Sequence, residues 1–415
     1  MIIEVETVKG FQDNLPPESL KRRKIKQIVE KWYSLYGFLP VETPLIEFDE
    51  LMKSNNLPTE EEDEAVSDRF RLKDRGGRNL GLRYEFTFQL ARIMKQNPNL
   101  KLPFKRYQIG EIFRDEPLRA GRTRQFTQCD IDIIGDASVS ADTECLGVVS
   151  EILKELGIRE FEIKVNNRKL LDSIIESVEI RQKKQVMREL DKIDKIGEDN
   201  VKANLKKYAD SNQIITLFKL LEKPLEFFKE NKFDGIEELI ELESKCKLYG
   251  VKVTPNLFMI RGFGYYTGNI FEIFSNGKNS IVAGGRYDKT IGKYSGKDIP
   301  AVGISFSLEA LMGLCKEEID KLTMEPPVKA MIISIKQDKV SIALANKLRK
   351  ENVPCVLFFS GAGKALEYAN SYQIPYSLFI GEDEVKSKKF KLKDMKTGNE
   401  KVLVEKSLIS FLKKN

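Results

Sequence analysis

Apolar residues recur at helical spacing from Leu20 through Ile25, Ile28, Val29, Trp32 and Tyr33, within a Lys, Arg and Glu background. Residues 17–37 therefore read as an amphipathic helix closing near Gly37. The following FLPVETPLIEF carries Pro40 and Pro44 and reads as extended chain at an edge or turn. NNLPTEEEDEAVSD is polar and acidic and reads as a solvated loop. RFRLKDRGGRNLGLR predicts two strands around a Gly-Gly turn, and YEFTFQLARIMKQN a helix.

Residues 104–135 hold two strand-like runs, KRYQIGEIFRDE and RQFTQCDIDIIG, joined by PLRAGRT. Helical patterns dominate residues 138–157 and 168–249, and the second stretch reads as a helical insertion. Strands are expected to return in NLFMIRGFGYYTGNIFEIF and SIVAGGRYD, and a helix in SFSLEALMGLCKEEID. Pro326 and Pro327 mark a domain boundary. Beyond it VKAMIISI, CVLFF and YSLFIG alternate, as strands, with the helical KVSIALANKLRKEN and KALEYANSY, before a closing hairpin and helix. That alternation predicts a small α/β domain. The expected division is residues 1–324, with an insertion at about 168–249, and residues 325–415.

Composition narrows the chemistry. Apolar residues make up 41% of the 415 and charged residues 32%, which suffices for real cores. No apolar run approaches the roughly 20 residues that span a bilayer. MIIEVETVKGF has no secretory pattern, so no membrane association and a cytoplasmic location are expected. Cys129, Cys145, Cys246, Cys315 and Cys355 show no CxxC spacing, which argues against a disulfide framework or a cysteine zinc site. A net charge of +6 is compatible with a polyanionic partner such as RNA. The chain contains no histidine at all, which excludes histidine ligands, imidazole bases and Ser-His-Asp catalysis.

Period-two alternation places Arg124, Phe126, Gln128, Asp130 and Asp132 on one face of the second run. Thr127, Cys129, Ile131 and Ile133 take the other face. In the first run Arg114 and Glu116 share a face, with Phe113 opposite. Such a surface reads either as a solvated sheet face with ion pairs or as a ligand surface. In the second case guanidinium forks suit phosphate oxygens, a ring suits a base, and carboxylates suit an amino group or an imidazole N–H. RGFGYYTG lacks the dinucleotide fingerprint, and GAGKA at 361–365 lacks the residues of a P-loop.

Read together, these segments resemble the histidyl-tRNA synthetase family of class II aminoacyl-tRNA synthetases. GFLPVETPLIEF resembles the first class II motif, with Pro44 at the dimer-interface proline. FRDEPLRAGRTRQFTQCDIDIIG resembles the second motif in its archaeal and eukaryotic form, and RGFGYYTG the histidine-binding signature. PAVGISFSLEAL falls where the third motif belongs, and the C-terminal region resembles the family's anticodon-binding module. The resemblance implies an α/β (α+β) catalytic domain built on an antiparallel sheet flanked by helices, followed by an α/β anticodon-binding domain. It implies ATP with Mg²⁺, L-histidine and tRNA(His) as partners, no metal held by the protein alone, and a homodimer.

By the same resemblance, Arg114 and Arg261 grip the α-phosphate of ATP from two sides and are the catalytic residues. Phe126 lies under the adenine, Glu116 near its amino edge, and Arg124 contacts ATP. Glu85, Thr87 and Gln128 hold the substrate α-amino group. Asp132 and Tyr266 meet the two imidazole nitrogens, with Tyr265 and Tyr287 lining the same pocket. Two positions depart from the family. Ala310 stands where the third motif has the arginine that holds the γ-phosphate, and Gly264 stands where the signature has Asp or Ser. Arg124 is the candidate to compensate for the first. A non-catalytic regulatory paralogue and a synthetase for another amino acid are the competing expectations. Ala310 and Gly264 fit the first of these, whereas RGFGYYTG speaks against the second.

The expected chemistry needs no protein base, because the attacking carboxylate is already ionised. It needs positive charge where phosphorus gains negative charge. Arg261→Ala is therefore expected to leave the fold intact and to raise the barrier to adenylate formation by about 2.7–4 kcal/mol, as loss of an oxyanion donor does. ATP–pyrophosphate exchange measures this, and an unchanged rate removes Arg261 from the chemistry.

Overall fold

The computed structural model describes residues 5–52, 68–117, 123–260, 266–275, 279–294, 296–322, 327–359 and 361–414. Arg261, Gly264, Tyr265, Pro326, most of the acidic stretch near residue 60 and most of PLRAGRT lie outside the described residues. The chain divides into two compact units, Met1–Leu322 and Thr323–Asn415.

In chain order the strands of the first unit are β1 (Leu39–Pro40), β2 (Ile46–Phe48), β3 (Arg71–Lys73), β4 (Asn79–Leu82), β5 (Phe104–Phe113) and β6 (Gln125–Ile134). There follow β7 (Phe161–Asn167), β8 (Val253–Pro255), β9 (Asn269–Ser275), β10 (Asn279–Arg286) and β11 (Ala301–Ser307). β2, β4 and β3 form a small antiparallel sheet, with the Gly76-Gly77 turn between β3 and β4. The remaining eight form one sheet in the order β1-β5-β6-β11-β10-β9-β7-β8. From β5 to β7 every neighbour is antiparallel. Parallel pairing occurs only at the two edges of this sheet, where β1 meets β5 and β8 meets β7.

Alternation along β6 decides how the sheet is covered. Cys129, Ile131 and Ile133 point into the main core, against the helices α1 (Glu18–Leu35) and α3 (Val139–Glu155). α1 contributes Ile25, Ile28, Val29 and Tyr33, the stripe expected from its spacing, and α3 contributes Cys145, Leu146, Val149 and Ile152. Each such side chain, fully buried, stabilises the fold by about 1.5–3 kcal/mol. On the opposite face α2 (Thr87–Gln96) packs Leu90 and Met94 with Ile134 and Tyr287. Between Arg168 and Leu248 the chain is helical, in keeping with the expected insertion.

Two sequence expectations are corrected. Leu257–Ile260 is not strand, and among the described residues beyond it strand returns at Asn269. Ser305–Ser307 belongs to β11 and not to a helix: α4 (Leu308–Leu314) starts after Ser307, whose hydroxyl accepts the Ala310 N–H at 3.0 Å. β7, β8 and β11 were not anticipated either. A short apolar run such as AVGIS fits a buried strand and a helix equally well, and only its pairing partners decide.

The second unit holds a sheet of β12 (Ala330–Ser334), β13 (Cys355–Phe358), β14 (Tyr376–Ile380), β15 (Lys389–Asp394) and β16 (Glu400–Val404). Its order is β13-β12-β14-β15-β16, parallel over the first three strands and antiparallel beyond.

One buried ion pair ties the central sheet to α3. Arg286, at the end of β10, donates to the carboxylate of Asp142 and also to the carbonyls of Asp136 and Ser138 at 2.9 and 2.8 Å. Asp142 is fully buried, and Arg286 is 5% exposed. Removing the Asp142 carboxylate takes away the shorter partner of the buried Arg286 guanidinium and leaves it with Asp288 at 3.6 Å. Asp142→Ala should cost the first unit about 3–5 kcal/mol. Denaturant unfolding followed through Trp32, the chain's single tryptophan, reports this directly, and a loss under about 1 kcal/mol would contradict the role given to the pair.

Candidate functional site

The polar face of β5 and β6 is the floor of the site. Their register sets Arg106 opposite Asp132, Gln108 opposite Asp130, and Gly110 opposite Gln128. β11 continues the floor, with Gly303 opposite Asp132 and Ser305 opposite Asp130. Arg106, Gln108, Gln128, Asp130 and Asp132 are all buried, so this is not a solvated sheet face.

Asp132 is bound at both oxygens. Arg106 pairs with Oδ2, and the Tyr287 hydroxyl donates to Oδ1. Gly303 makes room for this carboxylate, because a Cβ there would fall 2.2 Å from Oδ1. Gly285 does the same for Tyr266, since a Cβ would fall 2.8 Å from the ring. Strand glycines of this kind mark the close approach of another group. Burial raises the carboxyls of Asp132 and Asp130, while Arg106 pulls both back. Burial also raises the Tyr266 hydroxyl, and the carboxylates of Glu85, Asp130 and Asp132 add to that shift.

Beside the floor stands the loop into α2. The Glu85 carboxylate accepts the Phe88 N–H at 3.0 Å, and Thr87 is the buried first residue of the helix. Glu85 lies within electrostatic reach of Arg106, Arg114 and Asp132. Burial pushes its carboxyl up to about 7, against the Phe88 N–H and Arg114, which favour the ionised form.

Arg114 follows directly after β5. Its guanidinium lies 4.4 Å from the Tyr84 ring and 5.2 Å from the Phe126 ring, and Nε donates to the Tyr84 carbonyl at 3.4 Å. Glu116 stands 3.8 Å from Arg114. Arg124 runs beside them: its carbonyl accepts the Arg114 N–H at 2.8 Å, and its guanidinium meets Asp115 at 3.1 Å and the Glu116 carbonyl at 3.2 Å. Two arginines and an aromatic ring thus lie next to a buried carboxylate floor. That combination suits a substrate carrying phosphate at one end and an ammonium or other cationic group at the other.

The structure therefore gathers Glu85, Thr87, Arg114, Glu116, Arg124, Phe126, Gln128, Asp132, Tyr266 and Tyr287 about one sheet face. Arg261 and Tyr265 lie outside the described residues. Arg106, Gly285 and Gly303 were not singled out from the sequence. Arg106 shares the alternation of Gln108 and Gly110, but its pairing with Asp132 follows only from the strand register. The third-motif carboxylate, Glu309, is turned toward the helices instead: it pairs with Arg22 at 2.5 Å and accepts the Thr127 N–H at 2.9 Å. Ala310 offers no charge at its position. Among the described residues no three His, Cys, Asp or Glu side chains are grouped to hold a metal. None of the five cysteines is bonded to another, and burial raises each thiol.

The family described as histidyl-tRNA synthetase matches residues 10–311, and the anticodon binding domain family matches residues 329–415. A Bacillus cereus protein named histidine--tRNA ligase 1 is 37% identical over 420 residues, covering 96% of this chain and 95% of its own. A Clostridium tetani protein named histidine--tRNA ligase is 33% identical over 440 residues, covering 99% of each. Among solved structures, histidyl-tRNA synthetase from Nostoc sp. PCC 7120 superposes with a TM-score of 0.87 at 27% identity, over 100% of both chains. A Bacillus halodurans structure described as an ATP phosphoribosyltransferase regulatory subunit/histidyl-tRNA synthetase gives 0.75 at 20% identity over 91% of this chain, a likeness of fold alone.

A carboxyl titrating near 7 sets a pH dependence for any ammonium group held by Glu85. The ionised form binds the cation, so affinity is expected to rise as pH climbs through 7 and to fall below it by up to tenfold per unit. Calorimetric titration of the free amino acid between pH 6 and 8 measures the slope. Glu85→Gln should flatten it, and the same slope in both proteins would assign the titration to another group.

Proposed function

The chain belongs to the histidyl-tRNA synthetase family, and from that premise we propose that the buried floor of β5, β6 and β11 is where histidine and ATP react. It is a class II aminoacyl-tRNA synthetase that joins histidine to tRNA(His). The observation that carries the site assignment is the juxtaposition of Arg114, stacked between Tyr84 and Phe126, with the carboxylates of Glu85 and Asp132.

Two steps follow. The histidine carboxylate attacks the α-phosphorus of ATP, forming histidyl-adenylate and releasing pyrophosphate. A ribose hydroxyl of the terminal adenosine of tRNA then attacks the adenylate carbonyl and releases AMP. Arg114 donates to the α-phosphate oxygens through its planar fork, and Arg261 is assigned the second guanidinium by the family resemblance, so positive charge meets the pentavalent centre as it gains negative charge. Phe126 supplies the stacking plane for adenine, Glu116 receives its amino edge, and Arg124 adds charge near the polyphosphate in place of the missing third-motif arginine. Mg²⁺ bound with ATP would offset the charge of the phosphates, and one or two carboxylates beside Arg114 would suffice to hold it, without an all-protein cage. Glu85, Thr87 and Gln128 hold the α-ammonium group, while Asp132, Tyr265, Tyr266 and Tyr287 surround the imidazole. A wrong amino acid leaves these buried polar groups unpaired, which is the source of discrimination.

Residues 325–415 are proposed as the anticodon-binding domain, whose family matches 329–415, and residues 1–324 as the catalytic one. Leu39, Leu45, Ile46 and Phe48, in the segment resembling the first motif, are each about half exposed. A second copy of the chain covers them in the proposed homodimer. No helix among the described residues is long and apolar enough to cross a membrane, and a cytoplasmic location is proposed from the activity. A regulatory paralogue would account for Ala310, but the family matches span both units, and Arg114 lies within electrostatic reach of Glu85.

Arg114 is partly exposed and holds up no part of the core, so Arg114→Ala should fold normally. It is expected to lower kcat for histidine-dependent ATP–pyrophosphate exchange by on the order of 10²–10³. Histidine affinity without ATP should change little. An unchanged kcat would contradict the phosphate role.

A further inference from the structure

Arg83 is 5% exposed, and its guanidinium bonds the backbone rather than a carboxylate. Nε donates to the Glu111 carbonyl at 2.6 Å, and Nη1 donates to the Thr43 carbonyl at 2.8 Å. The Phe86 ring lies 4.9 Å from it. Gly110 on β5 leaves the space that the guanidinium fills, since a Cβ there would fall 2.8 Å from Nη2. The main chain of Arg83 makes two more bonds. Its carbonyl accepts the Phe113 N–H at 3.0 Å, and its N–H donates to the Leu45 carbonyl at 2.8 Å. The Thr43 hydroxyl continues the brace, donating to Gln89 on α2 at 2.6 Å and accepting from Gln108 on β5 at 2.9 Å. Three segments of chain are thus tied at one arginine: residues 43–45, the loop into α2, and the end of β5.

Two of those segments carry the two halves of the reaction. Tyr84, next along the loop, meets Arg114 with its ring at 4.4 Å and its carbonyl at 3.4 Å, and Glu85 follows. Glu111 precedes Arg114 on the same strand end. Under the reading proposed above, Glu85 holds the ammonium group of histidine and Arg114 the α-phosphate of ATP. The reach of the histidine carboxylate to phosphorus then depends on how the loop sits against β5. The main-chain bond to Phe113 fixes that seat at one point, and the side chain, reaching back to Glu111, fixes it at a second. Two points set an angle where one leaves a pivot. We infer that Arg83 is the positioning residue that aligns bound histidine with the α-phosphate of ATP. The inference rests on the reading of the site and adds to it a residue that has no assigned contact with either substrate. The planar fork suits this role, because it presents N–H groups at a fixed angle to two carbonyls, whereas an ammonium on a flexible stem does not. A misplacement of about 1 Å slows a reaction on the order of 10²-fold. Binding of either substrate alone tolerates such a shift, because each also meets groups that do not move.

Arg83→Lys tests this in the full-length protein, by histidine-dependent ATP–pyrophosphate exchange and by calorimetric titration of L-histidine alone and of ATP alone. The variant's kcat should fall on the order of 10- to 100-fold. Each dissociation constant should stay within about threefold of wild type, the signature of lost alignment rather than lost binding. A kcat within about twofold of wild type would overturn the inference. So would a loss of histidine or ATP affinity as large as the loss in kcat, which would make Arg83 part of the wall of one pocket. Either result leaves the site assignment standing. Wild-type protein that shows no exchange with histidine would overturn the site and this inference together. If Arg83→Lys does not fold, Gly110→Ala, which sets a methyl group against Nη2 and keeps the arginine, is read by the same split between kcat and affinity.

Discussion

A strand buried on both faces must satisfy whatever charge it carries on either one, and β6 is such a strand. Its odd-numbered side chains, Cys129, Ile131 and Ile133, enter the core beneath α1 and α3. Its even-numbered ones, Gln128, Asp130 and Asp132, are buried too, and two of them are carboxyl groups. Burying carboxylates is costly unless a cation or donor meets them. Arg106 from β5, Tyr287 after β10 and the absent side chain at Gly303 on β11 all answer that demand at Asp132. Three different strands converge on one carboxylate, and the pocket floor is the outcome of satisfying it.

The chemistry proposed for this floor suits a chain without histidine. Its nucleophile is born ionised, so no imidazole is needed to take a proton, and what remains is placement of positive charge. Arginine does this at any physiological pH, and the rings of Tyr84 and Phe126 hold the Arg114 guanidinium in position. A protein free of the amino acid that it attaches can also be translated when that amino acid is scarce, so its composition and its activity do not conflict.

Much of this was legible in the sequence, for identifiable reasons. Helix α1, the β3–β4 turn, the helical insertion and the alternating second unit rest on local periodicity, which a single chain reveals. Alternation also separated Cys129, Ile131 and Ile133 from Gln128, Asp130 and Asp132. What it could not reveal was partnership. Arg106 reads as an ordinary strand arginine until the register sets it opposite Asp132. Gly303 reads as a weak spot until a carboxylate lies against it. Ser305–Ser307, the end of β11, reads as the start of a helix because AVGISFS carries no local sign of the strands that flank it. Glu309, beside Ala310, is held on the helix side by Arg22 and the Thr127 N–H, partners that only the tertiary structure brings to it. The Ala310 departure is as plain in the structure as in the sequence, and Arg124, held by Asp115, runs beside Arg114.

The central claim is that a floor of buried carboxylates beside Arg114 and Arg124 activates one amino acid and no other. ATP–pyrophosphate exchange run on the purified protein with each of the twenty amino acids in turn tests it most directly. The account predicts exchange with histidine at a rate well above every other amino acid. Silence with all twenty, or a faster rate with an amino acid lacking an imidazole, would contradict it.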